Sequence, residues 1–243
     1  VCSGQSIALS ATAASGTTLA WYDSPTSTTA LSTAGNYSTP ALTATTTYYI
    51  SVSRTAGCES DKRIPVTVNV INPVLPTIST VGTTICSSGA TQATKLSVIN
   101  PIPGTTYSWF SVESGGIVLA TGDSYTPTVP TGVTNFYVEA TIGSCTTPTR
   151  TLVAVTSTPV PALATVLTPS VSIQSGQNAT LTASASGSGE TLDWYDAPTG
   201  GTKLLANSTT FTTPILFATK TYYVESNNIA GGCLSATRKA ITV

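Results

Sequence analysis

Hydrophobic and polar residues alternate in many short segments along this chain. Segments 6–11, 66–70 and 179–183 each place every second side chain on one face, which is the pattern of a half-buried β-strand. Threonine and valine dominate such segments, and both favour strands because rotation about their χ1 angle is already restricted. No window shows the roughly 3.6-residue period of an amphipathic helix. The pattern therefore predicts an all-β chain.

Four markers recur three times along the chain with a common period: a tryptophan, a pair of aromatic residues, a cysteine, and an arginine five residues after that cysteine. The tryptophans are Trp21, Trp109 and Trp194, spaced by 88 and 85 residues. The cysteines are Cys58, Cys145 and Cys233, spaced by 87 and 88 residues. A repeat of about 86 residues has the size of one small β-sandwich, so the period predicts three domains.

We place the three domains at residues 1–71, 72–157 and 158–243. The segments 72–76 and 158–161 contain closely spaced prolines and are predicted to be stiff linkers, because proline fixes the φ angle. Domains 2 and 3 each begin with a threonine-rich segment that makes a natural first strand. Domain 1 has no such segment after Val1, so we expect its first strand to precede this sequence.

Each repeat also resembles part of an immunoglobulin-type sandwich. Gly4–Ala11, the tryptophan ten residues later and Ala44–Ile50 look like strands B, C and F, and Tyr48 then takes the place of the tyrosine-corner residue. The combination of Cys-Ser-Gly, Trp-Tyr-Asp, Thr-Tyr-Tyr and Gly-Cys-x-Ser with a downstream arginine resembles the Ig-like modules arrayed in tandem in secreted surface proteins of Bacteroidota, including gliding-motility adhesins. The resemblance implies three Ig-like β-sandwiches in an extended rod, displayed at the cell surface and without a catalytic residue.

The aromatic residues are predicted to fill the domain cores. The aromatic positions that recur in every repeat include the tryptophans Trp21, Trp109 and Trp194 and the F-strand aromatics Tyr48, Phe136 and Tyr222. A position that is aromatic in every repeat and accepts Tyr or Phe alike is typical of a core. A face that stacks on sugars remains the alternative, and Phe217 is the aromatic residue that the repeat does not explain.

The composition argues against catalysis and metal binding. The chain contains no histidine, the commonest general base and metal ligand, so a Ser-His nucleophile is impossible within it. Glu190, Asp193 and Asp196 lie close in sequence but lack the spacing of an EF-hand, which leaves weak calcium binding as an open alternative. We expect no enzyme activity, no cofactor and no metal site.

The charged residues are too few to form a nucleic-acid-binding face. They make up 8% of the chain, with nine basic and ten acidic residues, so no nucleic-acid partner is expected. No stretch approaches the roughly 20 apolar residues of a membrane-spanning helix, so we expect no direct membrane insertion.

Two pairs of opposite charges are predicted to meet across the F–G hairpins. Glu139 and Arg150 are centred on one predicted turn, and Glu225 and Arg238 on the next. Opposite charges across two antiparallel strands attract, and an exposed pair contributes about 0.2–1 kcal/mol. The first repeat has Ser51 at the position of the glutamate and should lack this pair.

Five cysteines in a threonine-rich β chain favour an oxidising setting in which disulfides form. Pairing within domains would join Cys2 to Cys58 and Cys86 to Cys145, leaving Cys233 free. Pairing between domains would join Cys2 to Cys145 and Cys86 to Cys233, leaving Cys58 free. In an Ig-type sandwich Cys2 and Cys58 fall near opposite ends of one domain, farther apart than the about 7 Å that a disulfide spans. This favours the between-domain scheme. The within-domain scheme stays open, because a shift of the strand assignment near Cys2 would restore it.

Together these features favour a non-catalytic stalk or adhesive segment of a secreted bacterial cell-surface protein, an adhesin. The alternative is a carbohydrate- or protein-binding module attached to a secreted hydrolase. The expected location is extracellular, at the cell surface. The expected partners are further Ig-like repeats of the parent chain and a surface glycan or protein receptor that the sequence does not identify.

Overall fold

The computed structural model describes residues 1–54 and 57–243, and every regular element in those ranges is a β-strand. The strands form three two-layered sandwiches in succession along the chain. The predicted all-β class is therefore confirmed. No helix in the described ranges is long and apolar enough to cross a membrane.

The strands are short except where they form the centre of each domain. Domain 1 contains β1 Ala8–Ser10, β2 Thr17–Tyr22, β3 Asn36–Ser38, β4 Thr46–Arg54 and β5 Ile64–Val68. Domain 2 contains β6 Thr84–Ser87, β7 Thr91–Ala93, β8 Leu96–Ser97, β9 Thr105–Phe110, β10 Ala120–Thr121, β11 Ser124–Tyr125, β12 Thr128–Pro130, β13 Gly132–Ile142, β14 Cys145–Thr146 and β15 Thr151–Pro159. Domain 3 contains β16 Thr180–Thr182, β17 Glu190–Tyr195, β18 Lys203–Leu205, β19 Thr210–Thr212, β20 Thr221–Asn228, β21 Cys233–Leu234 and β22 Lys239–Thr242.

Each domain has a larger sheet built around one long strand. This strand is β4, β13 or β20, and it pairs antiparallel with the tryptophan-bearing strand before it and with the closing strand after it. A smaller antiparallel sheet faces it, formed by β1 with β3, by β8 with β11, and by β16 with β19. Along β15, Val153, Val155 and Ser157 are buried and the residues between them are exposed, as the two-residue period of a strand requires.

The three tryptophans lie at the centres of the three cores. Trp21, Trp109 and Trp194 are 1%, 0% and 0% exposed. In each domain the indole neighbours an aromatic ring of the smaller sheet, which in turn contacts the F-strand aromatic. In domain 3 the ring centroids of Trp194 and Phe211 are 5.6 Å apart, and those of Phe211 and Tyr222 are 5.2 Å apart. Indoles that are this deeply buried cannot present a sugar-binding platform.

In the described residues of domains 2 and 3, the F-strand aromatic does not form a tyrosine corner. Domain 2 has Phe136 at this position, which carries no hydroxyl group. In domain 3 the buried Tyr222 hydroxyl has no hydrogen-bond partner among the described residues. In domain 1 the Tyr48 ring packs against Tyr37, with ring centroids 5.3 Å apart. Aromatic packing therefore holds these rings, where a tyrosine corner would hold them by a backbone hydrogen bond.

The second linker is shorter in the structure than the sequence predicts. Strand β15 continues to Pro159, past the boundary expected after residue 157, because Thr158 and Pro159 still pair with Cys86 and Ser87 of β6. The Val160 N–H then donates to the Ser87 carbonyl at 2.9 Å, which ties this residue to domain 2. Pro161 is buried, so the connection has little free chain.

Candidate functional site at the domain junctions

A short segment near the start of each domain runs parallel to that domain's last strand. Cys2 pairs in this way with Ile71, and Cys86 pairs with Thr158. Domain 3 has the same arrangement, with Ser170 parallel to Thr242. The pairing places Cys2 and Cys86 beside the point where the chain leaves their own domain. We call the sites of Cys2 and Cys86 the pole positions of domains 1 and 2.

A second set of cysteines lies on the F–G hairpins. Cys145 begins β14 and pairs with Ile142 of β13, and Cys233 begins β21 and pairs with Asn228 of β20. In domain 1 the Arg54 N–H donates to the Cys58 carbonyl at 3.1 Å, which puts Cys58 at the same place on its own hairpin. We call Cys58, Cys145 and Cys233 the hairpin cysteines.

The structure joins each pole cysteine to the hairpin cysteine of the following domain. The Cα atoms of Cys2 and Cys145 are 5.3 Å apart, and those of Cys86 and Cys233 are 5.6 Å apart, which is ordinary disulfide spacing. Cys145 and Cys233 are 2% and 0% exposed, whereas Cys58 is exposed and free. This is the between-domain scheme. The within-domain alternative does not occur, because the parallel pairing puts each pole cysteine far from its own hairpin.

The second junction is also packed closely around a glycine. A Cβ atom on Gly231 would collide with the Thr158 side chain, so a side chain at residue 231 would separate the hairpin of domain 3 from the end of β15. The Cys233 sulfur lies 3.8 Å from the Thr158 carbonyl oxygen. The corresponding glycine of domain 2, Gly143, has no atom within 4 Å of such a Cβ. The two junctions therefore share the disulfide but differ in packing.

Domain 3 has no cysteine at its own pole position. The Gln177 N–H donates to the Gln174 carbonyl at 3.2 Å, as the Gln5 N–H donates to the Cys2 carbonyl at 3.1 Å, so Gln174 is the structural equivalent of Cys2. Phe217, which follows Leu216 at this pole, is 79% exposed. It borders a cavity of about 330 Å³ that Gln174 also lines.

A second recurring feature ties each large sheet to the loop after its tryptophan strand. The arginine five residues after the hairpin cysteine lies over the aromatic ring that follows the tryptophan. The distances from the guanidinium carbon to the ring centre are 3.3 Å for Arg63 on Tyr22, 3.2 Å for Arg150 on Phe110 and 3.3 Å for Arg238 on Tyr195. Each guanidinium also donates to one or two backbone carbonyls of that loop. The sequence signal for this contact was present, since both residues recur in all three repeats.

Two of these arginines meet the glutamates that the hairpin spacing predicts. The Arg150 Nε donates to a Glu139 carboxylate oxygen at 2.8 Å, and an Arg238 nitrogen lies 3.5 Å from a Glu225 carboxylate oxygen. The expectation that these pairs are exposed was wrong, because the side chains of Arg238 and Glu225 are only 10% and 9% exposed. The aromatic ring below and the loop beside each arginine exclude water from the pair.

Domain 1 uses a different carboxylate for the same arginine. Ser51 occupies the place of the glutamate and is buried, as the sequence indicated. Arg63 instead lies 3.5 Å from the Glu59 carboxylate, which comes from the residue after the hairpin cysteine. The Ser51 hydroxyl and the Arg63 charge hold the pKa of the Glu59 carboxyl below its ordinary value. The hairpin spacing does not predict this contact, because Glu59 does not lie directly across the hairpin from Arg63.

The three clustered carboxylates of domain 3 bind separate donors. Asp193 is 1% exposed and accepts from the Lys203 ammonium at 2.7 Å and from the Asn207 N–H at 3.0 Å. Glu190 and Asp196 each accept from a backbone N–H of their own turn. No group of three or more metal-ligating side chains occurs in the described part of the chain. These carboxylates therefore act as local structural acceptors.

A family model shows where such domains belong. The model described as Ig-like domain, CHU_C associated, matches the chain three times, over residues 1–72, 73–159 and 161–243. The chain is a member of this family. The match confirms the resemblance to tandem bacterial Ig-like modules, and the CHU_C-associated Ig-like domains account for nearly the whole chain. Curated proteins gave no match.

Solved structures similar to this chain include immunoglobulin and fibronectin(III)-like domains. Sidekick-1 immunoglobulin domains 1–4 align with 100% of this chain and 72% of theirs, at 16% identity and a TM-score of 0.37. The fibronectin(III)-like modules of Clostridium thermocellum CbhA align with 69% of this chain and 92% of theirs, at 14% identity and a TM-score of 0.48. Chicken CNTN1 FN1–FN3 domains align with 98% of this chain and 93% of theirs, at 10% identity and a TM-score of 0.41.

Proposed function

We propose that this chain is a non-catalytic stalk segment of a secreted bacterial cell-surface adhesin. The observation that carries the proposal is the pair of disulfides, each of which crosses a domain junction. A bond at this place does little for the core of either sandwich, but it fixes one domain against the next. Such bonds persist in an oxidising environment, which supports an extracellular location for the parent protein.

The side chains of the domains also fit a structural role. The tryptophans and the F-strand aromatics Tyr48, Phe136 and Tyr222 lie in the cores, and the recurring arginines bind loops of their own domains. A stalk requires equivalent units with stiff connections, and the buried prolines Pro76 and Pro161 restrict the linkers. We expect each domain to be about 40 Å long, from strands of roughly eight residues at about 3.3 Å each plus end loops. Small-angle scattering should then give a maximum dimension of about 120 Å for the three domains. A compact particle would contradict the stalk.

A second candidate function is a binding module for a carbohydrate or protein, and Phe217 favours it. This ring is 79% exposed beside a cavity of about 330 Å³, and an exposed aromatic next to a concave surface is a common sugar-binding element. Domain 1 has Thr43 at the equivalent position, since the Leu42 and Leu216 carbonyls before them accept equivalent N–H groups, both at 2.8 Å. The substitution Phe217→Thr therefore introduces the residue that the equivalent position of domain 1 already carries.

The two candidates differ in what the purified, oxidised chain binds. We expect the chain to show no saturable binding on a glycan array or on bacterial surfaces if it is a stalk, and Phe217→Thr to change nothing. Saturable binding that Phe217→Thr abolishes, while the fluorescence of the three buried tryptophans stays native, would replace the stalk by the binding module. A similarly exposed apolar residue on domain 2, Val133 at 67%, supplies the control variant Val133→Thr.

A further inference from the structure

Cys58 is the hairpin cysteine for which this chain offers no pole cysteine. Its two equivalents, Cys145 and Cys233, are both bonded to the pole cysteine of the domain before them. Cys58 stands at the same place on its hairpin, opposite Arg54, and it is exposed and free. In both bonded copies of this local structure, the partner is a cysteine held in a parallel pairing at the end of the preceding domain.

We propose that Cys58 is a covalent docking site for the pole cysteine of a neighbouring Ig-like domain. The neighbour presents a cysteine in the parallel pairing that Cys2 makes with Ile71 and Cys86 makes with Thr158. Only the role of this bond in the parent protein rests on the proposed stalk. There, a bond at Cys58 adds one disulfide-linked junction to the two already present. The disulfide itself rests on the geometry of the two junctions already present.

The opposite end of the chain gives this docking a direction. Domain 3 has Gln174 at its pole position, so it cannot form the same bond with the hairpin cysteine of another domain. Covalent clamping therefore extends from Cys58 toward a preceding domain and stops at domain 3. Any domain that contacts the pole of domain 3 does so without a disulfide at this position. That junction would therefore act as a hinge at the end of the disulfide-linked domains.

The bond that forms is an ordinary disulfide and requires an oxidant. The thiols of Cys58 and of the pole cysteine each lose a hydrogen, and the two electrons and two protons pass to a disulfide oxidant such as glutathione disulfide. That reagent is released as two molecules of reduced glutathione, so the exchange balances.

The variant Gln174→Cys gives one chain both halves of the proposed junction. We expect the folded variant, concentrated in a glutathione redox buffer, to form head-to-tail oligomers in which Cys58 of one copy is bonded to the new thiol at position 174 of the next. Non-reducing electrophoresis should show a ladder, and mass spectrometry of the digested bands should show the peptide of Cys58 joined to the peptide that contains position 174. The double variant Cys58→Ser/Gln174→Cys should lose the ladder.

A matched control separates docking from random collision of exposed thiols. Ser188 is an exposed serine in the turn before β17, at the hairpin end of domain 3, so Ser188→Cys offers a thiol at the wrong pole. We expect the yield of bonds between Cys58 and position 174 to exceed the yield between Cys58 and position 188 by about tenfold or more, which corresponds to a docking preference of about 1.4 kcal/mol. Equal yields would overturn the proposal. They would leave the two internal disulfides unaffected, so the proposed stalk would be judged separately by its response to force.

Discussion

The guanidinium carbon of Arg150 lies 3.2 Å above the centre of the Phe110 ring. The same group donates to Glu139 and to two loop carbonyls, so one side chain joins the closing strand, the central strand and the tryptophan strand of the large sheet. Guanidinium is planar and presents its donors in a fixed fork. It can therefore stack flat on a ring while it donates in its own plane to several acceptors, whereas an ammonium group has no plane with which to stack.

We predict that Arg150→Lys destabilises domain 2 despite keeping the charge. Lysine loses the stacking and at least one of the loop hydrogen bonds, and a lost hydrogen bond in a shielded place costs about 1–3 kcal/mol. Arg150→Ala should cost more, about 3 kcal/mol, because it leaves the largely shielded Glu139 carboxylate without its partner. Hydrogen–deuterium exchange of peptides from β13 reads the stability of this domain alone. Arg54→Lys, at an exposed arginine, is the control and should leave exchange in domain 2 unchanged.

The sequence predicts the strands, the three domains and the buried tryptophans because each depends on local pattern or on a repeated position. It predicts Glu139 opposite Arg150 for the same reason, since a hairpin fixes which residues face each other. Arg150 and Phe110 both recur in every repeat, but recurrence alone does not predict their contact, because these residues lie two strands apart and meet only across β13. The choice between the disulfide schemes also needs more than pattern. It depends on the parallel pairing of Cys2 with Ile71, which leaves no periodic signal in the residues around Cys2.

The three tryptophans should contribute unequally to the stability of their domains, because their indole N–H groups differ in hydrogen bonding. Trp109 and Trp194 donate to the carbonyls of Gly122 and Ser208 at 3.0 and 2.8 Å, whereas the buried Trp21 N–H has no partner in the described residues. We predict that substitution by phenylalanine lowers the free energy of unfolding by about 1 kcal/mol less at Trp21 than at the other two, because no carbonyl loses a hydrogen bond there. Hydrogen exchange of the central strand of each domain measures the difference. Equal costs at all three positions would contradict the assigned hydrogen bonds.

The F-strand tyrosines should make domains 1 and 3 sensitive to alkali. Burial raises the pKa of Tyr222 above its ordinary 10.0, and burial, followed by the neighbouring Tyr37, raises the pKa of Tyr48. A phenol whose pKa is raised by folding stabilises the folded state fully below the unfolded pKa, and this contribution is lost as the pH rises through the folded pKa. We therefore expect domains 1 and 3 to lose stability above about pH 10, while domain 2, with Phe136, serves as the internal control. Tyr222→Phe should remove much of the alkaline loss in domain 3 when exchange is followed in β20.

Gly231 should control how tightly the second junction closes. A methyl group at this position collides with Thr158, so we predict that Gly231→Ala moves the hairpin away from β15 and exposes the Cys86–Cys233 bond. The expected result is faster reduction of this bond by dithiothreitol, with the Cys2–Cys145 bond unchanged as the internal reference. Gly232 has a positive φ of 64° but no atom near an added Cβ. Gly232→Ala therefore tests backbone strain without the collision, and an equal acceleration in this variant would show that strain, not packing, governs the junction.

The two crossing disulfides should limit how far the chain extends under tension. Tension applied between Val1 and Val243 enters at Cys2, leaves at Cys233, and passes between the bonds through three chain segments in parallel. The shortest of these runs from Cys86 to Cys145 and is 59 residues long. At about 3.6 Å per residue, the oxidised chain can therefore reach only about 250 Å, against about 870 Å when both bonds are reduced.

Single-molecule force spectroscopy measures these extended lengths. Each disulfide pairing predicts a different length for the oxidised chain. Removing one bond with Cys86→Ser/Cys233→Ser should lengthen the oxidised chain to about 360 Å, since only the loop closed by Cys2 and Cys145 remains. Pairing within domains would instead allow the unmodified chain to reach about 460 Å. The measured length therefore separates a clamped stalk from domains of which the first two are bonded internally and the third carries no bond. A non-reducing peptide map of the same sample should find Cys2 with Cys145 and Cys86 with Cys233. An oxidised chain that extends to the reduced length would show that neither junction carries a bond, and the proposed stalk would lose the observation on which it depends.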